Sequence, residues 1–317
     1  MNKQDIQSSV YAQKVDLLLR LLPLVMEEKV FAVHGGTAIN LFLRNLPRYS
    51  VDIVLTYIPL ADRKKSIDDI NFHLKSISEK ARKAFPGMHI IPNYATCKLL
   101  CEYRGKQVKV EVNQTKRGII GGELMHLPLC EKAQDEFQVY CIADIVPISL
   151  LYGGKVAAAL SRQHPRDLFD VKYMTIPLKD CREGLIFCLL GSDRPIHESF
   201  APTLIDQHEA LANQFVGMTD TPFSYEEFEE TRTKLISDVN NILTDADRRF
   251  LVSFEYGEPE WDNYEFAHFK DFPSVKWKLL NLQKLAEQNP EKLKIEAEKL
   301  NRIFWKQLLF IQNSRKQ

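Results

Sequence analysis

Long hydrophobic runs are missing from these 317 residues. The densest, Gly184-Leu185-Ile186-Phe187-Cys188-Leu189-Leu190-Gly191, is far shorter than the ~20 residues a helix needs to cross a bilayer, so no membrane association is expected. Met1-Asn2-Lys3-Gln4-Asp5 leads into no apolar stretch with a cleavage site, so no secretory signal is read there. Cys-x-x-Cys pairs are absent among the six cysteines, Cys97, Cys101, Cys130, Cys141, Cys181 and Cys188. Cys97 and Cys101 also lack a companion His or Cys at zinc spacing. With mostly apolar neighbours, the cysteines read as buried free thiols, which argues against a structural metal and for the cytoplasm. Internal repeats and low-complexity tracts are absent as well. So is net charge, with 42 Lys+Arg against 42 Asp+Glu. That balance would argue against a polyanionic partner if the charge were evenly spread, and it is not. Residues 1–178 hold 24 basic against 18 acidic residues, and residues 179–317 hold the reverse. Arg63-Lys64-Lys65, Lys80-Ala81-Arg82-Lys83 and Lys116-Arg117 are candidate phosphate contacts, although each cluster alone reads as a solvated face.

What is present is concentrated near the N-terminus. Phe31-Ala32-Val33-His34 reads as a short apolar strand, and Gly35-Gly36-Thr37-Ala38 as a turn into a helix. Backbone amides at a helix start lack intrahelical partners and carry partial positive charge, so such a turn suits phosphate. Glycine lets the backbone approach an anion closely, and Thr37 adds a hydroxyl. A Gly-Gly-Thr turn is equally compatible with a plain strand-to-helix connection. A second strand, Val51-Asp52-Ile53-Val54-Leu55-Thr56-Tyr57, follows. Positions 52 and 54 of a strand point the same way, and two carboxylates there would grip hard cations. Only Asp52 is acidic; Val54 is a hydrocarbon. The plain alternative for Asp52 is an ion pair with Arg48.

Lys106-Gln107-Val108-Lys109-Val110-Glu111-Val112-Asn113 alternates polar and apolar, so Glu111 is a third candidate carboxylate or an ordinary solvent-facing acid. Lys155 and Arg162 are seven residues apart, about two helical turns, and share a face. Pro165 suits the first position of a new helix, with Asp167 and Asp170 in its first turn. Lys155 reads as a phosphate-neutralising ammonium or as a solvated lysine.

Taken together, Gly35-Gly36-Thr37-Ala38-Ile39-Asn40-Leu41, Arg48-Tyr49-Ser50-Val51-Asp52-Ile53 and Arg166-Asp167-Leu168-Phe169-Asp170 resemble the AbiEii/AbiGii toxin family of nucleotidyltransferases. The resemblance extends through Gly257-Glu258-Pro259-Glu260-Trp261 and Pro273-Ser274-Val275-Lys276-Trp277. It implies an α+β fold with a DNA-polymerase-β-like nucleotidyltransferase domain and a mainly helical C-terminal domain. It also implies Mg2+, a nucleoside triphosphate substrate, an RNA acceptor such as the tRNA 3′ end, and a cognate antitoxin. These are the toxin halves of abortive-infection, phage-defence and toxin–antitoxin pairs, acting in the cytoplasm. Carried across by position, Gly35, Gly36, Thr37 and Ser50 belong to the nucleotide site, Asp52 to the metal, and Lys155 and Asp167 to the later catalytic pair. Glu111 is our assignment as the third strand carboxylate and a metal ligand, on a looser match.

Val54 departs from the family's Asp-x-Asp. Three readings compete: a natural pseudoenzyme, compensation by Glu111 and Asp167, or an inactivating substitution. One base change turns either aspartate codon into valine, and the rest of the motif set is intact, which favours the third. Two alternatives of other classes remain: a non-catalytic nucleotide- or RNA-binding protein, and a phosphotransferase acting on a protein.

The hydrophobic periodicity predicts helices over 10–28 and 62–85, strands near His89, at 98–103 and 107–113, a loop from Gly121 through Pro128, a strand over 137–142, and helices from Ala143 onward. Gly153-Gly154 is expected to kink or restart that helical pattern. The expected domains are 1–178 for nucleotidyl transfer and 179–317, mainly helical, with helices over 226–243 and 292–310. The end, 314–317, is expected to fray.

Overall fold

A computed structural model describes residues 3–314 of the chain; residues 315–317, part of the end expected to fray, lie outside them. The architecture is mixed α and β. The chain divides into two compact units, one of Met1–Leu151 with Gln207–Tyr225 and one of Tyr152–Asp206 with Glu226–Gln317. The residue-178 boundary read from sequence therefore falls inside the second unit, and the first unit takes back a later segment.

The first unit is built on a seven-stranded sheet: β1 (Phe31–His34), β2 (Asp52–Tyr57), β3 (His89–Asn93), β4 (Lys98–Tyr103), β5 (Lys106–Val112), β6 (Met125–Pro128) and β7 (Ile142–Ile145). Their order across the sheet is β3-β4-β5-β2-β1-β7-β6. β1 runs antiparallel to β2 and parallel to β7, and β2 runs parallel to β5. Both edge strands carry a proline, Pro92 and Pro128, which lacks the donor that edge-to-edge pairing needs.

Strand alternation sorts the side chains. Ile53, Leu55, Val108, Val110, Leu99 and Cys101 are fully buried or nearly so. Asp52, Val54, Lys109, Glu111 and Lys98, which alternate with them, are half-buried. The apolar faces of α1 (Lys3–Met26) and α3 (Arg63–Ala84) build the core with the sheet. On α3, Ile70, Leu74, Ile77 and Ala81 recur at helical spacing and are all 0% exposed. Asp62 caps α3 by accepting from the Lys65 N–H at 2.9 Å.

Two sequence expectations need correction here. The stretch 125–128, read as loop, is strand β6, because it pairs with β7 as the outer ladder of the sheet. The stretch 137–142, read as strand, instead holds the end of α4 (Glu131–Phe137) and a turn, and the strand begins at Ile142. The strand signal of Val139-Tyr140-Cys141 comes from apolar residues beside a turn in which Gln138 takes positive φ.

Glu28 joins the end of α1 to α3. It is 7% exposed and accepts from His73 Nδ1 at 2.5 Å, Ser76 Oγ at 2.7 Å and Lys80 Nζ at 2.7 Å. Burial alone would raise its pKa, but these donors outweigh burial and bring it down to about 2. A depressed carboxylate pKa stabilises the fold above the unfolded value and loses that contribution as pH falls through the folded value. Glu28→Gln is therefore expected to lose about 2–3 kcal/mol at pH 6, with the gap to the parent closing between about pH 4.5 and pH 2. Urea unfolding of both proteins across that range checks this. A gap that persists undiminished at pH 2 assigns the loss to packing instead.

The second unit is helical among its described residues. It holds most of α5 (Ile148–Arg162), then α6 (Pro165–Lys172), α7 (Arg182–Leu190) and α8 (His197–Phe200). After α9 (His208–Ala210) in the first unit, it continues with α10 (Tyr225–Ile242), α11 (Asp245–Glu255), α12 (Pro273–Gln288) and α13 (Pro290–Ser314). The kink expected at Gly153-Gly154 is absent, and α5 runs through both glycines. Packing explains Gly153: a Cβ there would sit 2.3 Å from the Gly184 carbonyl carbon and 2.4 Å from the Leu185 nitrogen of α7. The C-terminal motifs also do packing work. Gly257 follows α11 at φ +82°, Trp261 packs on Phe250 with ring centroids 4.8 Å apart, and Pro273 starts α12. No helix among the described residues is long and apolar enough to cross a membrane. The cysteines are free, and all but half-buried Cys130 are buried.

Candidate active site

The Gly-Gly-Thr turn follows β1 directly. Gly35 takes φ +68°, a left-handed conformation that favours glycine. The helix it starts is one α turn, α2 (Gly35–Ala38), which widens into a π turn over Ile39–Leu43. Asn40 Nδ2 donates to the Gly36 carbonyl at 2.9 Å inside that turn. Gly36 is glycine for a different reason from Gly35. A Cβ on it would lie 2.7 Å from Arg48 Nη2 and 3.0 Å from Ser50 Oγ. Arg48 is buried there, and its Nη1 donates to the Tyr49 carbonyl at 2.8 Å. Asp52 has an ammonium beside it from the neighbouring strand, Lys109 Nζ at 3.8 Å.

Thr37 is fully buried. Its hydroxyl donates to the Asp52 carbonyl at 2.5 Å and lies 3.0 Å from Ser50 Oγ. These two hydroxyls thus tie the turn to β2. The segment Gln207–Tyr225 secures the same loop from elsewhere in the chain: the Tyr49 N–H donates to the Met218 carbonyl at 2.7 Å, and Thr219 Oγ1 donates to the Pro47 carbonyl at 2.7 Å.

This arrangement separates the two glycines experimentally. Gly35→Ala meets nothing closer than Val54 at 3.6 Å, so its cost is the backbone conformation, about 1–2 kcal/mol. Gly36→Ala collides with Arg48 and should lose about 1–3 kcal/mol by overpacking. Adding Arg48→Lys should recover part of the second loss and none of the first in denaturant titrations. Equal behaviour of the two pairs rules out this account of Gly36.

Position 54 faces this turn. Its Cβ is 3.6 Å from where a Gly35 Cβ would be, and it pairs in register with His34 on one side and Glu111 on the other. Asp52 pairs with Lys109. Adjacent parallel strands thus bring Asp52 and Glu111 together: Lys109 Nζ is 3.8 Å from Asp52 Oδ2 and 3.3 Å from Glu111 Oε2. Lys98 Nζ adds a second ammonium on Glu111 at 3.2 Å. Among the described residues no group of three or more His, Cys, Asp or Glu gathers to hold a metal. Two carboxylates on neighbouring strands fit one divalent cation, with oxygen donors of the kind magnesium takes; they do not supply a bridging pair from one strand. His34 Nδ1 is hydrogen-bonded to Thr56 Oγ1 at 2.8 Å, which keeps its ring on the sheet.

The later motif residues belong to the second unit. Lys155 Nζ lies 2.9 Å from both Asp167 Oδ1 and Asp170 Oδ2, and Arg162 Nη2 lies 2.7 Å from Asp167 Oδ2. Lys155, Asp167 and Asp170 are 7%, 4% and 0% exposed. Burial pushes the Asp167 carboxyl up, but Lys155 and Arg162 overcome this and hold it below the usual range. The two-turn spacing of Lys155 and Arg162 does put both on one face. Asp170 was not singled out for the site from sequence, nor was Lys109. The alternation of Lys109 with Glu111 was the available signal for the second.

Several basic clusters proposed as phosphate contacts are engaged within the protein. Lys80 pairs with Glu27 and Glu28, Lys64 with Asp68, and Arg117 is buried, donating to the Asp62 carbonyl at 3.3 Å.

Comparison with known proteins gives the family. The model of the nucleotidyl transferase AbiEii toxin family, of type IV toxin–antitoxin systems, matches residues 16–281. The chain belongs to the AbiEii family of nucleotidyltransferase toxins. As an AbiEii protein it is a nucleotidyltransferase, and the match takes in both the turn of the first unit and the Lys155–Asp170 cluster of the second. The fold is similar to that of MenT4, a nucleotidyltransferase toxin from Mycobacterium tuberculosis, at TM-score 0.59 and 15% identity, over 89% of this chain and 95% of that one. No curated protein matches the chain.

Proposed function

We propose that this AbiEii toxin transfers a nucleotide from a nucleoside triphosphate to RNA, the tRNA 3′ end, in the cytoplasm, and that Val54 silences it. The observation that carries the second half is the position of residue 54: its side chain stands against Gly35 and beside Glu111, where the family's second strand acid would meet the triphosphate. The backbone of Gly35, Gly36 and Thr37 holds phosphate, with Ser50 bracing the turn through Thr37. Asp52 and Glu111 hold Mg2+. Bound there, the ion would offset charge developing on the transferred phosphoryl group. Lys155 and Asp167 are the later catalytic pair. Catalysis of this kind rests on positioning and electrostatics. The basic excess of residues 1–178 suits an RNA acceptor, and family membership suits a cognate antitoxin and a role in abortive infection as phage defence.

Val54 also favours a second reading, a protein that binds nucleotide or RNA without transfer. Incubating the parent and Val54→Asp with labelled triphosphates, Mg2+ and total RNA separates the readings. Labelled RNA with Val54→Asp supports transfer to RNA. Labelled protein supports a phosphotransferase acting on a protein. Binding without label in either form supports the non-catalytic reading.

A further inference from the structure

Lys109 lies between the two carboxylates of the first unit. On β5 it shares a strand face with Glu111, and across the ladder it pairs in register with Asp52. Its Nζ is 3.8 Å from Asp52 Oδ2 and 3.3 Å from Glu111 Oε2, whereas Lys98 reaches Glu111 alone, at 3.2 Å. With Val54 in place of an acid, the two carboxylates are matched in charge by these two ammonium groups. The side chains of Asp52, Glu111, Lys98 and Lys109 are 36%, 27%, 44% and 37% exposed. Ion pairs this exposed contribute little each, so a lysine on a flexible stem can be displaced. A divalent cation between the same oxygens must nonetheless displace it.

We propose that Lys109 competes with the divalent cation for Asp52 and Glu111 and so sets how much free metal the site requires. This rests on the reading that those two carboxylates hold the metal. A third acid at position 54 would tip the charge balance toward the metal; valine leaves it even. Lys109 is a positioning residue in this account, acting through the carboxylates.

Mn2+ binding to the full chain without nucleotide, followed by electron paramagnetic resonance of the free ion, tests it. Lys109→Met is expected to bind Mn2+ about three- to tenfold tighter than the parent, because one positive charge leaves the site. Lys109→Arg, which keeps the charge, is expected to match the parent, and Asp52→Asn to bind more weakly. Thermal unfolding in chelator verifies that each variant is folded, and Lys109→Gln replaces the methionine variant if that one is not. If the neutral variants bind no tighter than the parent while Asp52→Asn weakens binding, the competition is overturned and the metal site stands. If Asp52→Asn leaves Mn2+ affinity unchanged, the carboxylate site itself is wrong and the competition falls with it.

Discussion

Val54→Asp is expected to raise nucleotide transfer by at least about a hundredfold and to restore toxicity to cells. A metal ion at a reacting phosphate supplies several kcal/mol of transition-state stabilisation, and each ~1.4 kcal/mol is tenfold in rate. The geometry directs the gain to this position: residue 54 faces Gly35 and pairs with Glu111, so an acid there would complete a cluster with Asp52 next to the turn. Valine is close to aspartate in size and suits a strand, so the fold tolerates either residue. A third carboxylate beside Asp52 and Glu111 adds repulsion when no metal is bound. The melting temperature of Val54→Asp in chelator should therefore equal or fall below that of the parent, and rise with Mg2+. If the reverted protein labels no RNA at high Mg2+, the transfer reading fails and the binding reading takes its place.

Lys155→Met is expected to destabilise the second unit by about 3–5 kcal/mol, a larger effect than any loss of one surface phosphate contact. It would remove the ammonium that lies 2.9 Å from both Asp167 and Asp170, which are 4% and 0% exposed. Breaking a buried ion pair from one side costs far more than the pair is worth, because a desolvated charge is left behind. The double variant Lys155→Met/Asp170→Asn should recover part of the stability. Denaturant unfolding measures the fold, and calorimetric titration with a triphosphate measures the site. Unchanged stability with weakened nucleotide binding would show Lys155 to be a phosphate ligand whose partners do not depend on it. Near neutral pH the outcome should not vary, since Asp167 titrates below the usual carboxylate range and its contribution is lost only in acid.

Much was legible in the sequence because it is local. The alternation of Gln107-Val108-Lys109-Val110-Glu111-Val112 specifies which side chains a strand buries, whatever its neighbours are. The i, i+4, i+7 spacing of Ile70, Leu74 and Ile77 does the same for α3. The left-handed turn at Gly35 and the Pro165 helix start follow from the backbone chemistry of those residues. Strand periodicity put positions 52 and 54 on one face, and the resemblance to the family's Asp-x-Asp made Val54 legible as a missing carboxylate.

Tertiary structure decided what depends on who the neighbour is. Strand order is one such case: β5 lies beside β2, so Glu111 lies opposite residue 54 and a lysine lies opposite Asp52, which no pattern within either strand determines. The reason for each glycine is another. Gly36 makes room for Arg48, twelve positions later, and Gly153 for the backbone of α7, where the sequence suggested a kink. Whether a charge is free is a third. Lys80, Arg117 and Lys155 read as exposed cations in sequence, but desolvation and partners distant along the chain tie each into the protein. Periodicity belongs to a segment by itself, whereas pairing and burial belong to two segments at once, and only the folded chain specifies the second.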